Sequence, residues 1–189
     1  MQAVSTSRPL LVLDLDETLW HGIDDPTQPT GVRFLLRPHL RTFLETVGQH
    51  YDLAVWTAAT EDWMHAGLTA IREAAEFDLA ERAFFLWHRE RCTWKRTEDG
   101  AYAFRKPARK FNAGWIRSKY PRHRVLVVDD VASNYACGYG HLVKVSPWTG
   151  DEMDTELEAL TYYLTSIARH EDVRSLEKRG WRTRAATFS

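Results

Sequence analysis

The sequence predicts an α/β fold with a central, mainly parallel sheet flanked by helices. Three short apolar runs carry this prediction, because each is continuously apolar and each stops at a polar residue. Continuous hydrophobicity is typical of strands that are covered on both faces, as in a parallel sheet between two layers of helices. The three runs are residues 10 to 13 before Asp14, residues 53 to 56 before Thr57, and residues 125 to 128 before Asp129.

The stretches between these runs are long enough for helical crossovers. Residues 38 to 47 place apolar side chains at helical spacing after Pro38, and residues 61 to 74 begin with two acids, which favour a helix N-terminus. Residues 108 to 119 and 152 to 169 have a similar pattern. In open α/β sheets, ligands bind beyond the carboxyl ends of the strands. The polar residues after the three strands are therefore candidates for a functional site.

Residues 83 to 106 interrupt the alternation of strands and helices. Two aromatic-rich runs, at 84 to 87 and 101 to 104, flank a charged stretch and the turn-like sequence Glu98-Asp99-Gly100. We interpret residues 83 to 106 as a small antiparallel β insertion. It is either a wall of the functional site or a surface hairpin, since insertions cost little stability.

Length and composition predict one domain over residues 1 to 189. We expect its core at about 9 to 170 and a tail at about 171 to 189, with weak order at 1 to 8 and roughly 180 to 189.

The 25 basic and 26 acidic residues nearly balance, so the net charge favours neither nucleic acid nor an acidic membrane. No apolar run approaches the roughly 18 residues of a membrane-spanning helix. Two cysteines without a secretory signal predict a reduced location, the cytoplasm, or the nucleus if the source is eukaryotic.

Two acids, Asp14 and Asp16, follow the first strand and are the centre of the predicted chemistry. Period-two alternation aims both side chains to the same side of the strand end. Carboxylates this close resist ionising together unless a cation or a shared proton relieves the repulsion. Mg²⁺ suits the position, because it prefers hard oxygen ligands and binds one or two carboxylates together with phosphate and water. The pair Asp129-Asp130, delivered by the third strand, would complete an acidic ring.

This set of residues predicts phosphoryl transfer. An ionised Asp14 would attack phosphorus and become an aspartyl-phosphate, while Asp16 would protonate the leaving oxygen and then take a proton from water. Positioning and charge neutralisation catalyse such a reaction, so donors for the phosphate oxygens are also required. Thr57 and a lysine meet that requirement, with Lys106 as the first choice and Lys110 as the second.

These motifs resemble the four motifs of the haloacid dehalogenase (HAD) superfamily in type and order. More narrowly, the chain resembles FCP/SCP-type phosphatase domains, also called NLI-interacting-factor-like domains, over about residues 9 to 170. The four matches are DLDETL at 14 to 19, WTAAT at 56 to 60, Lys106 in RKPARK, and VLVVDD at 125 to 130. Further matches are Leu36-Arg37-Pro38, Arg89-Glu90-x-Cys92, Trp148, and Asp154-x-Glu156-Leu157.

The resemblance implies a Rossmann-like HAD fold without a large cap and the activity of a magnesium-dependent phosphatase. By the same resemblance, Asp14 is the nucleophile and Asp16 is the general acid/base. Thr57, Ala58 and Lys106 would bind the phosphate of the substrate.

The resemblance also implies the ligands of Mg²⁺. The ion would be held by Asp14, the backbone carbonyl of Asp16 and the pair Asp129-Asp130, with Asp130 in direct contact and Asp129 direct or through water. The chain departs from the family at two points, with Val131-Ala132 where Ser-Pro is common and Pro107 where Asp is common. These departures leave the substrate preference open.

The resemblance implies a protein Ser/Thr phosphatase, although the RNA polymerase II tail on which its best-known members act is not carried over as the substrate. The 40 residues between Asp16 and Thr57 leave no room for a large lid, so the site is expected to admit a phosphoprotein. Trp87, Trp94 or Phe104 of the insertion would grip the peptide. One alternative is a phosphatase for a small phosphomonoester or a nucleic-acid end, and another is a catalytically silent phosphopeptide-binding module. No membrane partner is predicted, and the basic stretch 178 to 184 is interpreted as a solvated tail rather than a nucleic-acid contact.

Overall fold

The computed structural model describes residues 7–28, 31–96, 100, 102–135 and 137–185. The strands in that part of the chain are β1 (Leu10–Leu13), β2 (Trp20–Asp24), β3 (Val32–Leu36), β4 (Asp52–Trp56), β5 (Leu86–Trp87), β6 (Thr93–Arg96), β7 (Tyr102–Arg105), β8 (Val125–Asp129) and β9 (Leu142–Lys144). The α-helices are α1 (Leu40–His50), α2 (Glu61–Ala74), α3 (Leu79–Arg82), α4 (Gly114–Arg117), α5 (Glu156–Ile167) and α6 (Trp181–Ala185).

The central sheet has five parallel strands in the order β5-β4-β1-β8-β9. Its middle strand, β1, has Leu13 in register with Val55 of β4 and Val128 of β8. The carboxyl ends of these three strands therefore lie side by side, and Asp14 and Thr57 come close to each other there. The predicted α/β fold with a mainly parallel sheet is confirmed.

Both faces of the sheet are covered, as the continuous apolar runs predict. Leu11 and Leu13 belong to a buried cluster with residues of α1, α2 and α5. Leu10 and Val12 belong to a second cluster, which contains large rings on the opposite face. Alternate residues of one strand thus serve two cores, so no position of β1 tolerates a polar side chain.

The predicted helices match the structure to different degrees. α2 has the predicted bounds, and α1 and α5 lie within a few residues of them. The stretch from 108 to 119 is broken into a 3₁₀ helix, Ala108–Asn112, and the short helix α4. The break occurs because Ala113 has a φ of −52° and a ψ of 134°, which no helical residue adopts.

The small antiparallel insertion is confirmed, but it is narrower than predicted. Its two strands are β6 and β7, and most of the predicted turn between them, including Glu98 and Asp99, lies outside the described residues. The aromatic run from 84 to 87 is not part of the hairpin, because its end forms β5 and pairs in parallel with β4. Its Trp87 packs against Trp56 of the core, with 4.9 Å between the ring centroids.

A second antiparallel hairpin, formed by β2 and β3, was not predicted. It follows the DLDETL motif directly and packs against α2, where the Trp20 and Trp63 rings both contact Phe34 edge-on. The sequence of β2 mixes an aromatic, a histidine, a glycine and an aliphatic residue, and therefore lacks the alternation that identifies a strand.

The predicted weak order of the C-terminal end is wrong for residues 180 to 185. These residues form α6 against α5, and the buried Trp181 donates its indole N–H to the carbonyl oxygen of Lys144 at 2.7 Å. Residues 1 to 6 and 186 to 189, where weak order was also predicted, lie outside the described residues. Within the described ranges, no helix has the length and apolar character needed to cross a membrane.

Candidate active site

The loop after β1 turns tightly and presents two acids at the end of the strand. The amide of Asp14 still pairs with Val128 of β8 at 3.0 Å, which fixes Asp14 to the sheet. The amides of Thr18 and Leu19 then donate to the carbonyl oxygen of Leu15 at 3.1 and 2.7 Å. The turn therefore has its own hydrogen bonds, as a loop that positions functional groups requires.

Residues that match the family outside the four motifs brace this loop. The buried guanidinium of Arg37 donates to the backbone oxygen of Thr18 at 3.1 Å and forms two 2.9 Å bonds with the carboxylate of Asp154. The amide of Trp148 donates to the backbone oxygen of Glu17 at 2.7 Å. Glu17 has a φ of 54°, a left-handed conformation that such a contact helps to hold.

Three carboxylates converge beside this loop. Asp14, Asp129 and Asp130 each offer an oxygen, and these oxygens lie within 4.8 Å of one another. Asp129 is fully buried, and its Oδ1 accepts from the amide of Val131 at 2.8 Å and from Nδ2 of Asn134 at 3.1 Å. Asp130 is partly exposed, whereas Asp14 and Asp129 are buried. Asp130 therefore has the most accessible oxygens of the three.

The lysine in this cluster is Lys106. Its side chain is 1% exposed, and its Nζ donates to Oδ1 of Asp14 and, at 2.7 Å, to Oδ2 of Asp129. Its backbone amide donates to the carbonyl oxygen of Asn134 at 3.2 Å. Lys110 is elsewhere, with its Nζ donating to the backbone oxygen of Arg91 at 2.6 Å. The structure therefore brings the first-choice lysine to the acids and not the second.

The pKa shifts in the cluster show that negative charge is in excess. Burial raises the pKa of Asp14, Lys106 opposes this rise, and the charges of Asp129 and Asp130 add to it. Burial and the Asp129 charge raise the pKa of Asp130 to about 6. Burial alone would lower the pKa of Lys106, but the charges of Asp129 and Asp14 raise it, so the lysine is an ammonium. One ammonium does not neutralise three carboxylates.

The donor set therefore fits Mg²⁺. Hard carboxylate oxygens close together, with one partly exposed ligand at the mouth, are the environment in which this cation binds while retaining water. A divalent charge would also offset the repulsion that raises the pKa of Asp14 and Asp130.

The carboxylate of Asp16 is held outside this cluster. Its Oδ1 accepts two indole N–H groups, from Trp63 at 2.6 Å and from Trp20 at 3.1 Å. Its Oδ2 accepts the hydroxyl of Thr57 at 3.0 Å. These bonds turn the side chain of Asp16 toward Thr57, and its carboxylate is not among the three that converge.

Thr57 and Ala58 follow β4 and lie next to Asp16. The amide of Thr57 donates to the backbone oxygen of Trp87 at 2.9 Å, and its hydroxyl accepts from the amide of Ala59 at 3.0 Å. The backbone oxygen of Ala58 accepts from Nε of Arg89 at 2.9 Å. The N-cap of α2 is Thr60, so Thr57 does not serve as a helix cap.

Sequence reasoning missed several residues that contact the two catalytic candidates. Thr18 donates to Oδ2 of Asp14 at 3.1 Å, and Trp20 donates to Asp16, each from four residues further along the chain. That spacing across a tight turn was a usable signal. No signal in the sequence pointed to Trp63, because this residue lies in α2 and reaches Asp16 from there.

The aromatic residues of the insertion have two different environments. Trp87 is only 7% exposed and packs in the core, so the expectation that it grips a substrate is wrong. Trp94 is 62% exposed, and its ring lies over Phe104 with 3.9 Å between centroids. Trp94 and Phe104 thus remain available to a ligand at the surface.

Known sequences are similar to this chain over most of its length. The sequence model of the NLI interacting factor-like phosphatases matches residues 9 to 174. The "CTD nuclear envelope phosphatase 1 homolog" of Drosophila melanogaster is 30% identical over 193 residues, which cover 91% of this chain and 72% of the relative. The human "Ubiquitin-like domain-containing CTD phosphatase 1" is 27% identical over 178 residues, which cover 92% of this chain and 54% of the relative.

Solved structures of known proteins share the fold of this chain. A substituted form of the fission yeast RNA polymerase II CTD phosphatase Fcp1, bound to beryllium fluoride, has a TM-score of 0.51 at 16% identity. A second structure of Fcp1, described as an essential RNA polymerase II CTD phosphatase, has a TM-score of 0.51 at 20% identity. Each match covers 96% of this chain, which spans 63% and 48% of the two solved chains. At these identities the likeness concerns the fold.

Proposed function

Because this chain belongs to the family of NLI interacting factor-like phosphatases, we propose that it is a magnesium-dependent protein phosphatase that acts on Ser or Thr phosphate. The observation that carries the proposal is the buried contact of Lys106 with both Asp14 and Asp129. This contact brings together a nucleophile, a phosphate-binding cation and the acidic ligands for a metal ion.

Asp14 is the proposed nucleophile. Lys106 holds its Oδ1 and Thr18 donates to its Oδ2, so the side chain is fixed with respect to the sheet. In the first step, an oxygen of Asp14 bonds to phosphorus and the bond from phosphorus to the Ser or Thr oxygen of the substrate breaks. Fixing the attacking oxygen removes much of the entropic cost of this step.

Asp16 is the proposed general acid/base, and Thr57 controls which of its oxygens is available. The two indoles hold Oδ1, whereas Oδ2 has only the hydroxyl of Thr57. When Thr57 donates to a phosphate oxygen instead, Oδ2 of Asp16 is free to carry a proton. That proton goes to the leaving oxygen in the first step.

The second step returns Asp14 to its free form. Water attacks phosphorus, Asp16 takes the proton of that water at Oδ2, and the bond between phosphorus and Asp14 breaks. Lys106, the hydroxyl of Thr57 and the backbone amide of Ala58 would neutralise and orient the phosphate oxygens in both steps.

Bound Mg²⁺ would be held by Asp14, Asp130 and the backbone carbonyl of Asp16, with Asp129 direct or through water, and would supply further charge neutralisation of the phosphate. Asp129 has a second task, because its Oδ2 accepts from Lys106 and keeps that ammonium beside Asp14.

A protein substrate is supported by what surrounds the site. The two described hairpins near it, β2–β3 and β6–β7, are each two-stranded, so neither forms a large cap over the acids. The relatives are named as CTD phosphatases, which supports a phosphoprotein substrate. Trp94 and Phe104 are the proposed contacts for the peptide.

We also propose that the chain acts as one domain in a reducing compartment, the cytoplasm or the nucleus. Both cysteines are free thiols. Cys92 is buried, and its Sγ lies 3.7 Å from the backbone oxygen of Thr57, where it supports the site as a structural thiol. Burial raises its pKa, which disfavours the reactive thiolate.

The test of the mechanism is hydrolysis of an aryl phosphate by wild type and by Asp14→Asn, with Mg²⁺ and with chelator. We expect turnover that requires Mg²⁺ and is abolished by Asp14→Asn, and a phosphorylated Asp14 peptide in acid-quenched wild type by mass spectrometry. The exposed Asp24→Asn is the matched control and should retain activity. Absence of turnover in folded wild type with Mg²⁺ would favour the silent binding module.

The substrate class needs a separate comparison. We expect a larger kcat/KM for phosphoserine and phosphothreonine peptides than for sugar phosphates, nucleotides or nucleic-acid ends. Trp94→Ala should lower the activity on peptides and leave the activity on aryl phosphate unchanged. A preference for a small phosphomonoester would assign the same chemistry to a different substrate.

A further inference from the structure

A cavity of about 510 Å³ lies beside the site and is not used by the proposed mechanism. Three cationic side chains and two tryptophans line it: Arg91, Arg109, Lys110, Trp87 and Trp115. Trp115 is 51% exposed and packs edge-on against Trp87, so one wall of the cavity is an aromatic surface open to solvent.

The positive charge in this cavity has no acidic partner. No acidic residue lines it, and within the described ranges none of Arg91, Arg109 and Lys110 forms an ion pair. The Nζ of Lys110 is anchored on the backbone oxygen of Arg91 at 2.6 Å, which brings the two cations together. Burial lowers the pKa of Lys110, Cys92 opposes this, and the charges of Arg91 and Arg109 add to the lowering. An anion between these groups would remove a repulsion that the fold leaves uncompensated.

The cavity is separate from the catalytic groups but shares supporting segments with them. Trp87 accepts the backbone amide of Thr57 at 2.9 Å, so the end of β5 lies between the cavity and the phosphate-binding segment. Lys110 follows Lys106 by four residues, but its Nζ donates to the backbone oxygen of Arg91, whereas that of Lys106 donates to Asp14. Beyond burial, which raises the pKa of the Cys92 thiol, the charges of Lys106 and Lys110 lower it and that of Asp14 raises it, so the cavity cation Lys110 and Asp14 both lie close to this thiol.

We propose that this cavity is a second anion-binding subsite, which receives an acidic or phosphorylated side chain of the polypeptide whose phosphoresidue lies over Asp14. The proposal rests on the proposed function and specifies its substrate. Two guanidinium groups and an ammonium suit a phosphate group, because arginine donates two parallel hydrogen bonds to such oxyanions. The half-exposed ring of Trp115 would contact the chain next to that group.

The test compares three versions of one peptide: with one phosphate, with a second phosphate on a neighbouring residue, and with Glu at that second position. Their affinities for Asp14→Asn protein are measured by calorimetry, and turnover is measured on wild type. We expect the second phosphate to tighten binding roughly tenfold, the equivalent of one charge-assisted contact. The Glu peptide identifies the source of the anion: an equal effect indicates any acidic side chain, and a smaller effect indicates phosphate.

The decisive variant is Arg91→Ala/Arg109→Ala. It should bind all three peptides equally and hydrolyse aryl phosphate at the wild-type rate. Arg72→Ala/Arg169→Ala removes the same charge from exposed positions elsewhere and should keep the preference. Equal affinities for the three peptides in the parent protein, or an equal loss in both double variants, would overturn the subsite. If the protein binds the peptide with the second phosphate more tightly but the wild type does not hydrolyse aryl phosphate, the subsite stands and the proposed function is refuted.

Discussion

The indole N–H of Trp63 donates to Oδ1 of Asp16 at 2.6 Å, across 47 positions of the chain. Trp20 donates to the same oxygen, and the two rings are held by close contact with glycine backbones. A Cβ on Gly22 would lie 2.5 Å from the Trp63 ring, and a Cβ on Gly67 would lie 2.3 Å from the Trp20 ring. The orientation of the proposed acid/base is therefore built into the packing of β2 against α2.

Trp63→Phe removes the donor to Asp16 and keeps an aromatic ring over Gly22. A hydrogen bond to a charged group contributes about 1.5–3 kcal/mol, so we expect kcat on aryl phosphate to fall roughly tenfold or more while KM changes little. Steady-state kinetics and the pH profile of kcat test this expectation. Trp94→Phe, at an exposed tryptophan, should not change either. An unchanged kcat in folded Trp63→Phe protein would show that the indole only fills space.

Gly67→Ala should destabilise the protein, although alanine usually favours a helix. The added methyl group meets the fully buried Trp20 ring, and overpacking of this kind costs about 1–3 kcal/mol. Chemical denaturation followed by fluorescence measures the loss. Gly114→Ala is the control, because no heavy atom lies within 4 Å of the added Cβ, and it should not lose stability. A stabilised Gly67→Ala would contradict the close packing.

Arg37→Met should cost about 3–5 kcal/mol of unfolding free energy, because it leaves Asp154 and the backbone oxygens of Thr18 and Ser146 without their donor. Urea unfolding gives this value. Arg41→Met, which breaks an exposed pair with Glu45, should cost about 1 kcal/mol or less. Equal losses in the two variants would show that the Arg37 bonds do not stabilise the fold.

His141 makes the stability depend on pH. Burial lowers its pKa to about 4, a backbone bond to Val125 opposes this, and the charges of Arg174, Arg122 and Lys178 add to the lowering. Between pH 4 and about 6.5 the unfolded chain therefore binds more protons than the folded protein, and the unfolding free energy rises with pH across that window. The stability provided by the neutral ring is complete above about pH 6.5 and is lost toward pH 4.

The variant that isolates this effect is His141→Gln, which does not titrate and keeps an amide donor for Val125. The difference in unfolding free energy between wild type and variant should shrink by on the order of 3 kcal/mol from pH 7 to pH 4. His65→Gln, at an exposed histidine, serves as the control. A difference that does not vary with pH would show that His141 titrates normally in the folded protein.

Mg²⁺ should raise the melting temperature of the wild type, because a ligand that binds only the folded state stabilises it. Asp130→Asn removes the most accessible ligand and should weaken Mg²⁺ binding, measured by calorimetry, by roughly tenfold or more. Asp24→Asn should bind as wild type does. Tight binding in Asp130→Asn, together with lost binding in Asp129→Asn, would assign the direct contact to Asp129.

The sequence was sufficient for the parts of the fold that depend on local pattern. The strands β1, β4 and β8 are continuous apolar runs, and the acids at the start of α2 mark its first turn. The hairpin β2–β3 and the helix α6 were missed. Both are short and depend on burial of single aromatic rings, Trp20 and Trp181, which a periodic pattern does not report.

For the site, the sequence was sufficient where the chemistry depends on residues that follow strands. Asp14, Asp129 and Lys106 were expected to meet, and the structure brings them together. The donors to Asp16 were predictable only in part. Trp20 follows within the same turn, whereas Trp63 reaches the carboxylate through packing of one element on another, which no local pattern encodes.

The helix α6 lies beyond residue 174, where the match to the family ends, yet it is connected to the loop of Asp14. Arg182 of this helix binds Glu156 at 2.7 Å, Glu156 accepts the amide of Ser146, and the carbonyl of Ser146 accepts from Arg37. A fragment trimmed to the family boundary would lose the first link of that series. The smallest fragment worth expressing therefore extends through residue 185, and a purification tag is better attached before the sheet begins.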